Sequence, residues 1–231
     1  MEKISVLMSV YNDESNIEYS LESVLNQTYK NLEVLIMDDC STDNTSKIIE
    51  QIAKKDSRIN IYKNEKNKGL THSLNLLINN SNGNYIARQD SDDFSFPERL
   101  SKQINFIKNK NLDGCTTRAY KKESFKITPR FSKYFNKKFI LKLKNPFIHG
   151  SLLIKRDVIL NIGGYDENFY YAQDYKLFKD LIYRNKKIKI FNEVCYVLNN
   201  ENNISTNHKE KQHYYAKCVR KNIIPSNKNE N

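Results

Sequence analysis

Paired cysteines, long apolar runs and internal repeats are all missing from this chain, and each absence removes a class of protein. The four cysteines, Cys40, Cys115, Cys195 and Cys218, are scattered. None has the close pairing that zinc sites use, and no disulfide framework is indicated. No stretch approaches the 18 or so consecutive apolar residues of a membrane-crossing helix. Nothing reads as a signal peptide, since the short apolar run ending at Val10 gives way at once to Asn12, Asp13 and Glu14. The expected location is therefore the cytoplasm. Acidic residues are also in deficit, 27 against 38 Lys plus Arg, a formal net charge of +11. That balance favours anionic partners such as nucleotides, nucleic acid or an acidic membrane surface, and says nothing about fold. With no linker in evidence, 231 residues read as one α/β domain with added elements, large enough to bury a substantial core.

The first half alternates apolar strands with helical patterns. Strands are expected at Ile4 to Val10, Leu32 to Met37, Ile59 to Tyr62 and Tyr85 to Arg88. Helices are expected at Asn16 to Asn26, Thr45 to Lys54 and Leu70 to Ile78, with apolar residues such as Ile48, Ile49 and Ile52 on one face. This alternation predicts βαβ units, hence a mainly parallel central sheet flanked by helices. The second half is less regular. Helices are predicted from Pro97 to Asn109, Arg156 to Asn161, Asp174 to Tyr183 and Ser205 to Lys221. Strands are predicted at Asp113 to Tyr120 and Ser151 to Ile154, with two short ones at Ile188 to Phe191 and Val194 to Leu198. Residues from Pro225 onward read as a disordered tail.

Sheets of this kind bind ligands at the carboxyl ends of their strands. The residues expected there are Tyr11 and Asn12 after the first strand, Asp38 and Asp39 after the second, and Asp90, Asp92 and Asp93 after the fourth. In Asp90-Ser91-Asp92-Asp93, carboxylates one residue apart on a tight turn can converge on one hard cation, Mg²⁺ or Mn²⁺, that also takes phosphate oxygens. Taken alone, the same motif is more often a solvated acidic turn than a metal site.

The segments YNDES, MDDCSTDNT, NKGLTHSLN, YIARQDSDD and GGYDENFYYAQDYKL follow one another in that order. Together, from roughly Ser5 to Ile182, they resemble glycosyltransferase family 2, whose members have the GT-A fold. The resemblance implies a Rossmann-like α/β domain over 1–224, with a nucleotide-sugar half at 1–110 and an acceptor-side half at 111–224. It implies that Val10, Tyr11 and Asp39 hold the base and ribose of a nucleotide, usually of a UDP-sugar, and that Lys68 lies near that nucleotide. It implies that Asp90 and Asp92 serve the metal (Mn²⁺ or Mg²⁺) and the diphosphate, and that Asp174 is the catalytic base of an inverting transfer. Two positions depart from the family pattern. Ser9 replaces a frequent proline, and Gln173 stands where many relatives carry glutamate. A neutral amide cannot titrate, so the base assignment falls on Asp174 alone.

Each of these residues also has an ordinary structural reading. Asp39 could cap a helix or close an Asx turn, although Asp38 and Asp43 suit that better. Tyr11 could pack in the core, Lys68 could be a surface lysine and Asp174 a helix N-cap. Asp93 could steady the acidic turn, and Arg88 could be a charge partner for the acids instead of a ligand contact. His149, within NPFIHGSLLIKR, could be structural or could touch donor or acceptor. Between Lys121 and Lys144, Lys and Arg interleave with Phe125, Phe131, Tyr134, Phe135, Phe139 and Ile140. As a helix, Phe131, Tyr134, Phe135 and Phe139 would share a face. Such a segment suits peripheral contact with an anionic membrane, or a helix whose lysines merely face water.

The function expected is transfer of a sugar from a nucleotide donor to a glycan or lipid-linked acceptor in bacterial surface polysaccharide, lipooligosaccharide or glycoprotein glycan synthesis. A metal-dependent nucleotidyltransferase is disfavoured because YNDESN lacks the glycine-rich, basic loop that cradles triphosphate. A nucleic-acid-binding module is disfavoured because no such motif is visible and the acidic strand ends would repel phosphate. A catalytically weakened, nucleotide-binding relative is the remaining alternative, motivated by Gln173.

Overall fold

The computed structural model describes residues 1–130, 135–199 and 208–226. In chain order its first half holds β1 (Ile4–Val10), α1 (Ile17–Leu25), β2 (Leu32–Asp38), α2 (Thr45–Ala53), β3 (Ile59–Lys63), α3 (Leu70–Asn80), β4 (Tyr85–Arg88), β5 (Phe94–Ser95) and α4 (Arg99–Asn109). There follow β6 (Gly114–Lys121), β7 (Ile127–Thr128), α5 (Lys137–Ile140), a 3₁₀ turn (His149–Ser151), β8 (Leu153–Lys155), α6 (Arg156–Asn161), α7 (Gln173–Tyr183), β9 (Ile188–Leu198) and α8 (Lys209–Lys221).

One twisted sheet runs β3-β2-β1-β4-β8-β6-β9-β5, with β7 paired to β6. Strands β3, β2, β1 and β4 are mutually parallel, as the βαβ pattern predicts. Beyond β4 the sheet is mixed: β8 is antiparallel to both β4 and β6, β9 is parallel to β6, and β5 is antiparallel to β9. The uninterrupted run of parallel strands is thus confined to the first half, although β6 and β9 also pair in parallel.

Side-chain parity divides the core. Val6, Met8, Val34 and Ile36 pack with Ile17 and Leu21 of α1, Ile49 of α2, and Leu100 and Ile104 of α4. Leu7, Leu35 and Met37 face the other way, against Leu74 and Leu77 of α3 and Leu177 and Phe178 of α7. Burying each such side chain contributes about 1.5–3 kcal/mol relative to exposure. A one-residue slip of β1 would swap its two faces, so the register is firmly set. Val10 lies opposite Asp38 and Leu7 opposite Arg88. The ends of β1, β2 and β4 therefore emerge at one edge of the sheet.

Several expectations for the irregular half are corrected. Residues 188–198 form one continuous strand, because the break expected between two strands is absorbed by register shifts around Arg118 of the partner strand β6. α4 begins at Arg99 and not at Pro97, whose carbonyl accepts the Thr28 N–H at 2.8 Å. The basic aromatic segment is not one helix: it contains β7, and helix begins only at Lys137, where the Asn136 side chain caps the Lys138 N–H. Phe135 accordingly precedes the helix that carries Phe139. Phe131, Tyr134, the expected start of the last helix at Ser205 and the tail beyond 226 lie outside the described residues.

Candidate active site

The loop after β1 turns sharply at Asn12, which takes the left-handed conformation (φ 49°) that asparagine tolerates better than most residues. Asn12 binds the loop after β2 in both directions: its N–H donates to Ser41 Oγ at 3.0 Å, and its Oδ1 accepts the Thr42 N–H at 2.7 Å. The Asp13 N–H donates to Thr45 Oγ1 at 2.8 Å. Asp13 also reaches the third strand end, its Oδ2 accepting Ser91 Oγ–H at 2.6 Å, while Ser20 Oγ–H donates to the Asp90 carbonyl at 2.7 Å. Three loops from three strand ends are thereby tied into one surface.

At the β2 end the paired aspartates do different work. Asp38 is buried and accepts from the Ser41 N–H and from Ser46 Oγ; burial opposes its charge, but these bonds and Lys63 hold its carboxyl below the usual range. Asp39, also buried, accepts from Asn64 Nδ2 (2.7 Å) and the Lys68 N–H (2.9 Å) on Oδ1, and from the Gly69 N–H (2.8 Å) on Oδ2. A carboxylate offers about four acceptor positions, so one remains on Oδ2. Asp38 and Asp43 make the local turn contacts, Asp43 Oδ1 accepting the Thr45 N–H. Lys68 meets Asp39 through its backbone, and its side chain is exposed. Val10 is buried, its carbonyl accepting the Asp39 N–H. Tyr11 is 49% exposed, so the core-packing reading is set aside.

At the β4 end, Arg88 is a buried charge partner. Its guanidinium pairs with Asp90 Oδ1 and donates to the carbonyls of Leu7 and Gln89. Asp93 is buried behind the turn, accepting the Asn199 N–H at 2.7 Å, and burial with Asp90 and Asp92 pushes its carboxyl well up. That matches its reading as a residue that steadies the turn. Asp92 is partly exposed, and burial, then Asp90 and Asp13, push its carboxyl up to about 7. The turn thus holds more negative charge than its surroundings balance, which a divalent cation would relieve. Among the described residues no three His, Cys, Asp or Glu side chains form a ready cage. Hard oxygen donors from one or two carboxylates, completed by substrate phosphates, fit Mg²⁺ or Mn²⁺.

The start of α7 lies within electrostatic reach of Asp90. Gln173 opens the helix and is buried; Ala172 occupies the cap position, so Asp174 sits in the first turn and is not the N-cap. Asn145 Nδ2 donates to Asp174 Oδ2 at 2.7 Å. Burial raises the Asp174 pKa, the Tyr175 N–H and Asn145 oppose the rise, and the Asp90 charge adds to it. His149 Nε2 lies 2.6 Å from Tyr165 Oη. Burial and then Arg88 push His149 down to about 3, so its imidazole is neutral. Tyr165 feels Arg88, Asp90 and Asp174 together. The next residue after His149, Gly150, leaves no space for a side chain: a Cβ there would lie 2.5 Å from Asp90 Oδ2 and against Tyr196 Oη.

Asn145, Tyr165, Tyr170 and Tyr196 were not singled out from sequence. Asn145-Pro146 carries a turn signal that could have marked it. Tyr196 Oη accepts the Asp90 N–H at 3.2 Å from a strand distant in sequence, and nothing local announces that.

Comparison with known proteins bears on the family and the fold. Residues 5–163 match the model of Glycosyl transferase family 2. The putative glycosyltransferase EpsE of Bacillus subtilis is 38% identical over 71% of this chain and 60% of its own length. An Escherichia coli protein named UDP-Glc:alpha-D-GlcNAc-diphosphoundecaprenol beta-1,3-glucosyltransferase WfaP is 40% identical over 57% of this chain and 52% of its own length. The chain thus spans little more than half the length of these two relatives. Among solved structures, S. aureus TarS 1–349 in complex with UDP-GlcNAc aligns with a TM-score of 0.78 at 20% identity, covering 94% of this chain and 65% of that one. The mannosyltransferase PcManGT of Pyrobaculum calidifontis, in complex with GDP-Man and Mn²⁺, aligns at 0.73 and 19% identity, covering 96% and 65%. These likenesses show the GT-A fold, and on the family match the chain belongs to glycosyltransferase family 2.

Proposed function

We propose that this chain transfers a sugar from a UDP-linked donor to a hydroxyl of a glycan or lipid-linked acceptor in bacterial surface polysaccharide, lipooligosaccharide or glycoprotein glycan synthesis. The observation that carries the reading is the gathering of Asp13, Asp90 and Asp92 at the β4 end, tied by Ser91 Oγ–H to Asp13 Oδ2 and by Ser20 Oγ–H to the Asp90 carbonyl, with the half-buried Asp174 held by Asn145 within electrostatic reach of Asp90. The UDP-sugar in the TarS complex and the donor and lipid-diphosphate acceptor in the WfaP name support the choice of substrates.

In this reading residues 1–110 bind the donor and 111–224 the acceptor. Tyr11 lies against the base, the open position on Asp39 Oδ2 accepts a base or ribose N–H or O–H, and Lys68 contributes its charge nearby. Asp92 and Asp90 would hold Mn²⁺ or Mg²⁺, which when bound offsets the charge of the diphosphate. Arg88 keeps Asp90 aimed at the cleft. Asp174 accepts the proton of the attacking hydroxyl, a role that needs its ionised form. Attack opposite the leaving group inverts the anomeric centre. His149, neutral, and Gln173, uncharged, suit hydrogen bonding to sugar hydroxyls without adding charge. The exposed basic and aromatic residues after β7 suit peripheral contact with an anionic membrane, where a lipid-linked acceptor would be met.

A screen of UDP-, GDP- and dTDP-linked sugars for metal-dependent release of nucleoside diphosphate tests this. Release from UDP-sugars, stimulated by an acceptor extract, is expected. Nucleotide binding without turnover of any donor would favour a weakened relative.

A further inference from the structure

Tyr170 is 37% exposed and has no role in the chemistry described above. Its ring end lies over Gly69, so closely that a Cβ on Gly69 would sit 2.5 Å from Tyr170 Cε2. Gly69 is the residue whose N–H holds Asp39 Oδ2, and it takes φ 85°, where an L side chain would be strained in any case. The segment carrying Tyr170 is pinned to α3 by Thr71 Oγ–H, which donates to the Phe169 carbonyl at 3.1 Å. Burial, then Tyr171, Asp39 and Tyr11, raise the Tyr170 phenol, in keeping with a ring that lies near both flanking groups. A tyrosine of the second half therefore lies over the glycine that holds Asp39, and Tyr11 follows directly on Val10, whose carbonyl accepts the Asp39 N–H. Exposed aromatic faces beside a fixed acceptor suit a planar heterocycle.

Four residues beyond Tyr170 is Asp174. Between them, Ala172 takes the left-handed conformation, φ 52° and ψ 26°, uncommon for a residue with a side chain. Its N–H donates to Gln212 Oε1 of α8 at 3.2 Å. Whatever fixes Tyr170 acts on a short segment that ends in the carboxylate.

We propose that Tyr170 supplies the second aromatic surface for the nucleotide base, so that donor binding docks the segment bearing Asp174. This rests on the donor site described under Proposed function. The chain has no tryptophan, so Tyr170→Trp introduces a sole indole reporter. Calorimetric titration with UDP in Mn²⁺ buffer is expected to give Tyr170→Phe within about twofold of wild type and Tyr170→Ala weaker by about tenfold or more. The indole emission of the Tyr170→Trp variant is expected to change saturably with UDP. In wild type, UDP is expected to slow amide exchange across residues 170–176, and in Tyr170→Ala at saturating UDP it is not. If wild type binds UDP but the alanine variant binds equally well, or the indole emission stays unmoved, the base contact is overturned and the donor site stands. Equal protection of 170–176 in wild type and alanine variant overturns the docking. A wild-type chain that binds no nucleoside diphosphate overturns the donor site and this inference with it.

Discussion

Asp174 carries opposing demands on one carboxyl. Burial and the Asp90 charge favour its protonated form, while Asn145 and the Tyr175 N–H favour the ionised one, and the net effect is a raised pKa. A base must be ionised to act, so turnover should fall as pH drops through this raised value. The acid limb of kcat is expected at higher pH than the ordinary carboxylate value of about 3.9, and a kcat–pH profile checks it. The same shift acts on stability. Between the unfolded and folded pKa values the folded chain binds more protons, so this group's contribution to stability declines as pH rises through that window. Asp174→Asn should therefore melt at or above the wild-type temperature near neutral pH while losing turnover by roughly 10²–10⁴-fold. Near-normal turnover in that folded variant would remove Asp174 from the chemistry. Asp39 illustrates what sequence could and could not reveal: its position after β2 was legible, but its bonds to Asn64, Lys68 and Gly69 depend on a loop brought in by α3.

At the scale of elements, the parallel strands β1, β2 and β4 were legible because strands covered on both faces are apolar almost throughout. The later strands were harder, because their partners come from distant segments: β9 bridges β6 and β5, and the short β5 and β7 exist only through such pairing. The 3₁₀ turn His149–Ser151 joins the two halves closely. Arg99, buried and lying 5.3 Å from the Tyr196 ring centre, donates to the Gly150 carbonyl at 3.0 Å and to that of Arg88 at 3.0 Å. Gly150→Ala inserts a methyl group against Asp90 and Tyr196. Overpacking of this kind typically costs about 1–3 kcal/mol. A lowered melting temperature and weakened Mn²⁺-dependent UDP binding are expected together; a variant with wild-type values for both would show that the turn has slack.

At the scale of the whole molecule, the excess positive charge is unevenly matched with apolar surface. Phe139 and Leu143, 58% and 60% exposed, stand among Lys137, Lys138, Lys142 and Lys144. Arg220 Nη1 donates to the Leu143 carbonyl at 3.5 Å, bringing the end of α8, with exposed Ile223 and Ile224, to the same side. Asn145, which holds Asp174, follows this patch directly in sequence. No helix among the described residues is long and apolar enough to cross a membrane. Liposomes containing anionic lipid should retain the chain at low salt and release it as salt screens the lysines. Phe139→Ser with Leu143→Ser should lower retention at least several-fold without altering UDP affinity. Equal retention on neutral and anionic liposomes, or none on either, contradicts membrane contact. The composition pointed to an anionic partner, but the placement of this patch next to Asn145, the partner of Asp174, became visible only with the fold.

The most direct measurement is calorimetric titration of wild type and Asp92→Asn with UDP, in Mn²⁺ and in chelator. A dication shared between carboxylate and diphosphate predicts wild-type affinity at least about tenfold higher with Mn²⁺, and loss of most of that gain in Asp92→Asn. Equal affinity with and without Mn²⁺, or an Asp92→Asn variant that keeps the full metal dependence, would contradict the site at the β4 end.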